Sequence, residues 1–176
     1  MSSSATAISD LNHIFFSSVT VAIIQYLLKE SNCGNSQRLV KSFKYIVMYS
    51  ITLDPIKVLH TDRYSTWHYR CHTIPAEIIG IEVVVQSQRT GRVEDHQIQL
   101  QLGDEPIGDN RAVINSQPTH RYGSPSDTWG CRLTFADIGR LNVLTQYLCA
   151  VAEPRGSITV DTVQLILHYR PLTSDR

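Results

Sequence analysis

The sequence predicts a mainly β protein, an antiparallel sandwich or barrel preceded by an apolar N-terminal arm. Three observations carry that expectation. Runs rich in β-branched and aromatic residues are separated by turn signals about every eight to twelve residues. Gln97, Gln99 and Gln101 alternate strictly with Ile98, Leu100 and Leu102. The bulkiest apolar cluster, Phe15 to Leu28, lies ahead of a polar break, SNCGNSQ at 31–37. At 176 residues the chain suits one core plus an extension, and the boundary falls near residue 38: an arm over 1–38 and a sandwich over 39–176.

Within the arm, Ser9 or Asp10 is placed to cap a helix carrying Leu11, Phe15, Val19, Ile23 and Leu27 on one stripe. The β-branched content of 19–24 opposes a helix, because such side chains lose rotamer freedom there. The stripe is given precedence and the arm is read as helical. After the break, FKYIVMYSITL at 43–53 reads as a strand ending at Asp54-Pro55. Further strands are expected at 67–74, 78–88, 94–102, 111–115, 118–122, 143–152 and 157–169, with local helix over 133–141. The expected core is Ile81, Val83, Ile98, Leu100, Leu102, Leu133, Val160, Val163, Leu165 and Leu167, while the three glutamines face water or a polar partner.

Sixteen basic residues balance sixteen acidic ones, so no net field draws the chain to nucleic acid or an anionic membrane, and neither is expected as a partner. The run from Ile14 to Leu28 is interrupted by Ser17, Ser18, Thr20 and Gln25 and falls short of the roughly 20 apolar residues of a membrane span. Cys33, Cys71, Cys131 and Cys149 lack CxxC spacing, and no basic leader precedes the apolar run. They are read as reduced thiols, mostly buried.

Four stretches carry side chains capable of chemistry or ligand binding. His68 and His72 flank Cys71, but on a strand they stand about 13 Å apart, too far for one ion. Asp95-His96 resembles a fragment of a triad, which only geometry can establish. Asp104, Glu105 and Asp109 offer calcium ligands without EF-hand spacing, and a solvated hairpin connection is the simpler reading. Trp67, Tyr122 and Trp129 lie in or beside expected loops, where their rings could stack on a sugar or anchor the loop in the core. No GxSxG, HExxH, GxxxxGKS or GxGxxG motif is present. The expectation is therefore a non-enzymatic protein with no catalytic residue, metal or cofactor.

Five collinear segments resemble a jelly-roll domain of bacteriophage and prophage structural proteins. Ile74-Pro75-Ala76-Glu77-Ile78-Ile79-Gly80-Ile81-Glu82-Val83 is similar to its "IPAGATIxGIEV" strand. VEDHQIQLQLG at 93–103 with Ile107-Gly108-Asp109-Asn110 resembles its "VxDxxVQLxKGGxxxGDN" hairpin. Residues 122–130 (YGSPSDTWG) and 134–138 (TFADI) resemble "YGGPTDLWG" and "TPADI", and Val160 to Tyr169 resembles the closing "VDxVxxxVxY" strand. The chain departs from the pattern at Glu77-Ile78 and Phe135, and nothing before residue 60 matches it.

The resemblance implies a jelly-roll sandwich and a virion structural protein, assembled in the host cytoplasm and carried in the virion. A capsid cement or decoration protein that bridges capsid subunits is the preferred role, with a tail, neck or fibre component next. Its partners would be the major capsid protein or tail proteins and further copies of itself, met through Phe15, Phe16, Val19, Ile23 and Leu27 of the arm. The readings of another class are a carbohydrate-binding module using Trp67, Tyr122 and Trp129, and a hydrolase.

Overall fold

The computed structural model describes residues 18–27, 43–114, 117–152 and 154–172, with backbone alone for 18–27 and 43–46. Ten strands follow in order: β1 (Ser18–Leu27), β2 (Phe43–Leu53), β3 (Lys57–His60), β4 (Ser65–His68), β5 (Ala76–Thr90), β6 (Val93–Leu102), β7 (Glu105–Ile107), β8 (Thr119–Ser124), β9 (Leu141–Cys149) and β10 (Ser157–Pro171). They form two antiparallel sheets of five strands, in the orders β1-β2-β10-β5-β8 and β3-β4-β9-β6-β7. The pairings nest: β2 lies against β10, β4 against β9, β5 against β8 and β6 against β7. Further ladders from β10 to β5 and from β9 to β6 join these pairs within each sheet.

Between the sheets the core follows the period-two pattern of each strand. Ile81, Val83 and Val85 of β5 stand beside Leu167, Leu165 and Val163 of β10. They meet Ile98 and Leu100 of β6 and Leu141 and Val143 of β9 in one buried cluster. Tyr49, Tyr169 and Phe135 extend it, with the tyrosine rings stacked at 5.6 Å and Phe135 edge-on to Tyr169 at 5.2 Å. Of the expected core, Leu102, Leu133 and Val160 are only half-buried, while Gln101, expected to face water, is buried.

The β6 pattern changes parity because of a bulge. Asp95 pairs with Tyr147 but Gln97 pairs with Gln146, so His96 is the extra residue. Val93 and Asp95 face inward before it, Ile98 and Leu100 after it. The disrupted ladder is repaired by a neighbouring loop. Asn110 Oδ1 accepts the N–H groups of Ile98 and Ala112, Asn110 Nδ2 donates to the His96 carbonyl, and the Arg111 N–H donates to the Ile98 carbonyl.

Several expectations are corrected here. Residues 18–27 of the arm form strand β1, not a helix, and pair with β2 along ten consecutive residues. The reason lies in the stripe itself: residues four apart share a face in a strand as well as in a helix, and the β-branched content then decides. Residues 1–17 and 28–42 lie outside the described residues. The strand expected at 67–74 ends at His68, the one at 111–115 is loop over its described part, and the helix at 133–141 is reduced to a 3-10 turn at Ile138–Arg140.

Candidate functional site

Trp67, Tyr122 and Trp129 are not surface platforms. Trp67 lies on β4, 3 % exposed, with its indole N–H donating to Thr145 Oγ1 at 3.1 Å. Tyr122 lies on β8, 2 % exposed, and its hydroxyl donates to Asp95 Oδ2. Trp129 is in a loop, but the loop folds back and buries the ring completely. Glycan stacking on these three rings is ruled out by their burial, and each buried polar tip has a partner inside the protein.

Around Trp129, residues of the 80–81, 108–111 and 122–130 segments converge. Its backbone sits at φ 57, a left-handed conformation costly for a bulky residue. Three contacts hold it there. The Trp129 N–H donates to Asp127 Oδ1 at 2.8 Å, its indole N–H donates to the Ile81 carbonyl at 2.9 Å, and its carbonyl accepts the Asp109 N–H at 2.8 Å. Arg111 Nη2 closes the loop from outside, 2.8 Å from Asp127 Oδ1 and 3.3 Å from Asp109 Oδ2. Two glycines make the approach possible: a Cβ on Gly80 would collide with the Pro125 carbonyl, and one on Gly123 with the Ile81 carbonyl and the Trp129 indole nitrogen. These segments are a scaffold that ties the 122–130 loop to β5 and to the 108–111 loop.

At the other end of β5 a polar cluster is sealed between the sheets. Arg89 Nη1 lies 2.8 Å from Asp95 Oδ1, with both side chains nearly inaccessible. Arg89 Nε donates to Ser87 Oγ, and the guanidinium lies 5.3 Å from the centre of the Tyr147 ring. Burial, with the Asp95 carboxylate adding to it, pushes the Tyr122 and Tyr147 hydroxyls far above their ordinary range, so both stay protonated. His96, bulged outward, is exposed and does not join Asp95, so the two are not parts of a triad.

A second cluster lies on the outer face of β5. Glu82 is 3 % exposed; Arg121 of β8 is ion-paired with its Oε2, and His168 Nε2 of β10 stands 3.2 Å from its Oε1. Burial holds the His168 imidazole below its usual range against the pull of Glu82, and Arg121 adds to the depression. His68 ends β4 while His72 lies in the following loop, and among the described residues no group of three His, Cys, Asp or Glu is placed to hold a metal. Cys71 and Cys131 are half-buried free thiols and Cys149 is an exposed one, so the expectation of mostly buried cysteines is overturned for these three. Burial raises the Cys71 thiol to about 11 and raises Cys131 as well, which keeps both in the unreactive protonated form. An open depression of about 240 Å³ beside Arg92, Glu94, Leu148, Cys149 and Ala150 is smaller than the roughly 300–1,000 Å³ of ligand pockets.

The remaining expected site is the arm. Phe15 and Phe16 lie outside the described residues. Val19, Ile23 and Leu27 are on β1, opposite Ile51, Val47 and Phe43 of β2. β1 stands at the end of its sheet, and among the described residues β2 is its one pairing partner. The candidate functional site is therefore this edge, which presents main-chain donors and acceptors. No helix among the described residues is long and apolar enough to cross a membrane. No family model matches the chain, and no curated protein or solved structure matches it significantly.

Proposed function

We propose that this chain is a non-enzymatic virion structural protein, a jelly roll that acts as a capsid cement or decoration protein. The jelly-roll reading rests on the nested pairings. With β1 and β3 set aside, the sheets are β2-β10-β5-β8 and β4-β9-β6-β7, the eight-strand, two-sheet arrangement of that architecture. β1 and β3 then extend one edge of each sheet.

The observation that carries the functional reading is the convergence at Trp129. Gly80-Ile81, Gly108-Asp109 and the 123–129 stretch come from three segments distant in sequence and meet in close contact around Trp129. That gives the resemblance to phage structural domains a physical basis, because the shared residues fix a shape and carry no chemistry. A rigid sandwich with an apolar extension suits the bridging of neighbouring capsid subunits.

Mass spectrometry of purified particles, separated into heads and tails, tests the reading. The chain is expected with the heads, in a constant ratio to the major capsid protein. Recovery with the tails would move it to a tail role, and absence from both would overturn the proposal.

A further inference from the structure

The four sheet edges differ in how they are protected. β3 has four residues and carries Lys57 and His60; β7 has three and contains Pro106; β8 has six, includes Arg121 and carries Gly123 at φ 82. Short length, charge, proline and local distortion are the devices by which proteins keep a strand edge from pairing with another chain. β1 has none of them. Its ten residues, SVTVAIIQYL, contain no charge, proline or glycine, and its register with β2 runs without a bulge from Ser18 to Leu27.

We infer that β1 is a self-association edge, which pairs antiparallel with β1 of a second copy of this chain. The partner follows from the edge's own chemistry. A strand edge presents alternating donors and acceptors, and a two-fold axis normal to the sheet sets each donor of one copy against an acceptor of the other. A second uncharged edge brings no like charge to the seam, and a chain of sixteen basic and sixteen acidic residues adds no net repulsion. A partner recognised by charge would find nothing on β1 to read. The two sheets then become one continuous sheet across the axis. This inference does not depend on the virion reading.

Ala22 and Ile24 stand opposite Met48 and Ile46, on the register face away from buried Ile51. The double variant Ala22→Lys/Ile24→Lys therefore places charge on the edge without replacing the residues aligned with the core. Light scattering on the full chain at micromolar concentration is expected to give twice the 19.9 kDa monomer mass, and the double variant the monomer mass with an unchanged circular dichroism spectrum. Hydrogen exchange of the unaltered chain supplies the second measurement, which holds even if the variant fails to fold: protection of amides 18–27 should rise with protein concentration. A monomeric unaltered chain, a dimer that persists in the folded variant, or protection independent of concentration would each overturn the inference, the last by showing that the edge is covered by the chain's own residues.

Discussion

Asp95 and Arg89 are charged groups placed where water cannot reach them, so each depends on the other. Removing one partner of such a buried ion pair costs about 3–5 kcal/mol, whereas replacing both with apolar residues of similar volume is often neutral. Asp95→Ala is therefore expected to lower the unfolding free energy by about that amount and Arg89→Met/Asp95→Leu by much less. Urea titrations of both proteins measure the difference; equal losses would show that the pair is not the mutually dependent unit described. His168 makes stability depend on pH. Its folded pKa lies below its unfolded value because burial penalises the charged ring, so the unfolded chain binds more protons in the window between them. Stability is then retained above about pH 6.5 and lost as the pH falls below it. The Asp137 carboxyl, held low by the hydroxyl and N–H of Thr134, adds a loss of the same sign at more acidic pH. His168→Gln should flatten the upper part of this acid limb in melting temperature against pH, and an unaltered limb would remove His168 as its source.

The β6 bulge is an element held by a residue from outside it. Asn110 provides two hydrogen bonds to β6 backbone that the ladder leaves unpaired, at Ile98 and His96, and a third to Ala112 in its own loop, each contributing about 0.5–1.5 kcal/mol. Asn110→Ala should cost roughly 2–3 kcal/mol and speed amide exchange at Ile98 before the rest of β6, which peptide-level hydrogen exchange resolves. Uniform exchange along β6 would mean that the bulge needs no clamp. The same bulge marks where the sequence could be read and where it could not. Alternation made Ile98 and Leu100 legible as core, but no local pattern shows that Val93 and Asp95 face the same way across an extra residue. Long strands were legible from their β-branched runs; β3 and β7, with four and three residues, are too short to show a period. Trp67 could have been recovered as core, since it lies between Thr66 and His68 in a strand-like run, and so could Tyr122, which follows His120 and Arg121. Trp129 could not, because its burial depends on Asp127, Gly123, Gly108 and Ile81 meeting in space. Residues 18–27 are a strand where the sequence suggests a helix, because a spacing of four serves helix and strand alike.

At the scale of the molecule, β1 adds to the fold without closing it. β2 has its own ladder to β10, in which β1 takes no part, and the nested pairs β4–β9, β5–β8 and β6–β7 lie elsewhere. The described core draws on β2 and on strands after it, including Ile51 and Leu53 of β2 itself. A chain beginning at Ser36 is therefore expected to fold, with a β-type circular dichroism spectrum and one cooperative thermal transition. Its stability should fall, because the ten-residue ladder to β2 is lost and β2 becomes the edge. The new edge has a different sequence that includes Lys44, so any association of the shortened chain should lack the defined two-copy mass expected of the full one. Sedimentation across a concentration series separates the outcomes. A shortened chain that is unfolded would make β1 part of the closed core, and one that folds and keeps the two-copy mass would place the contact between copies on another surface.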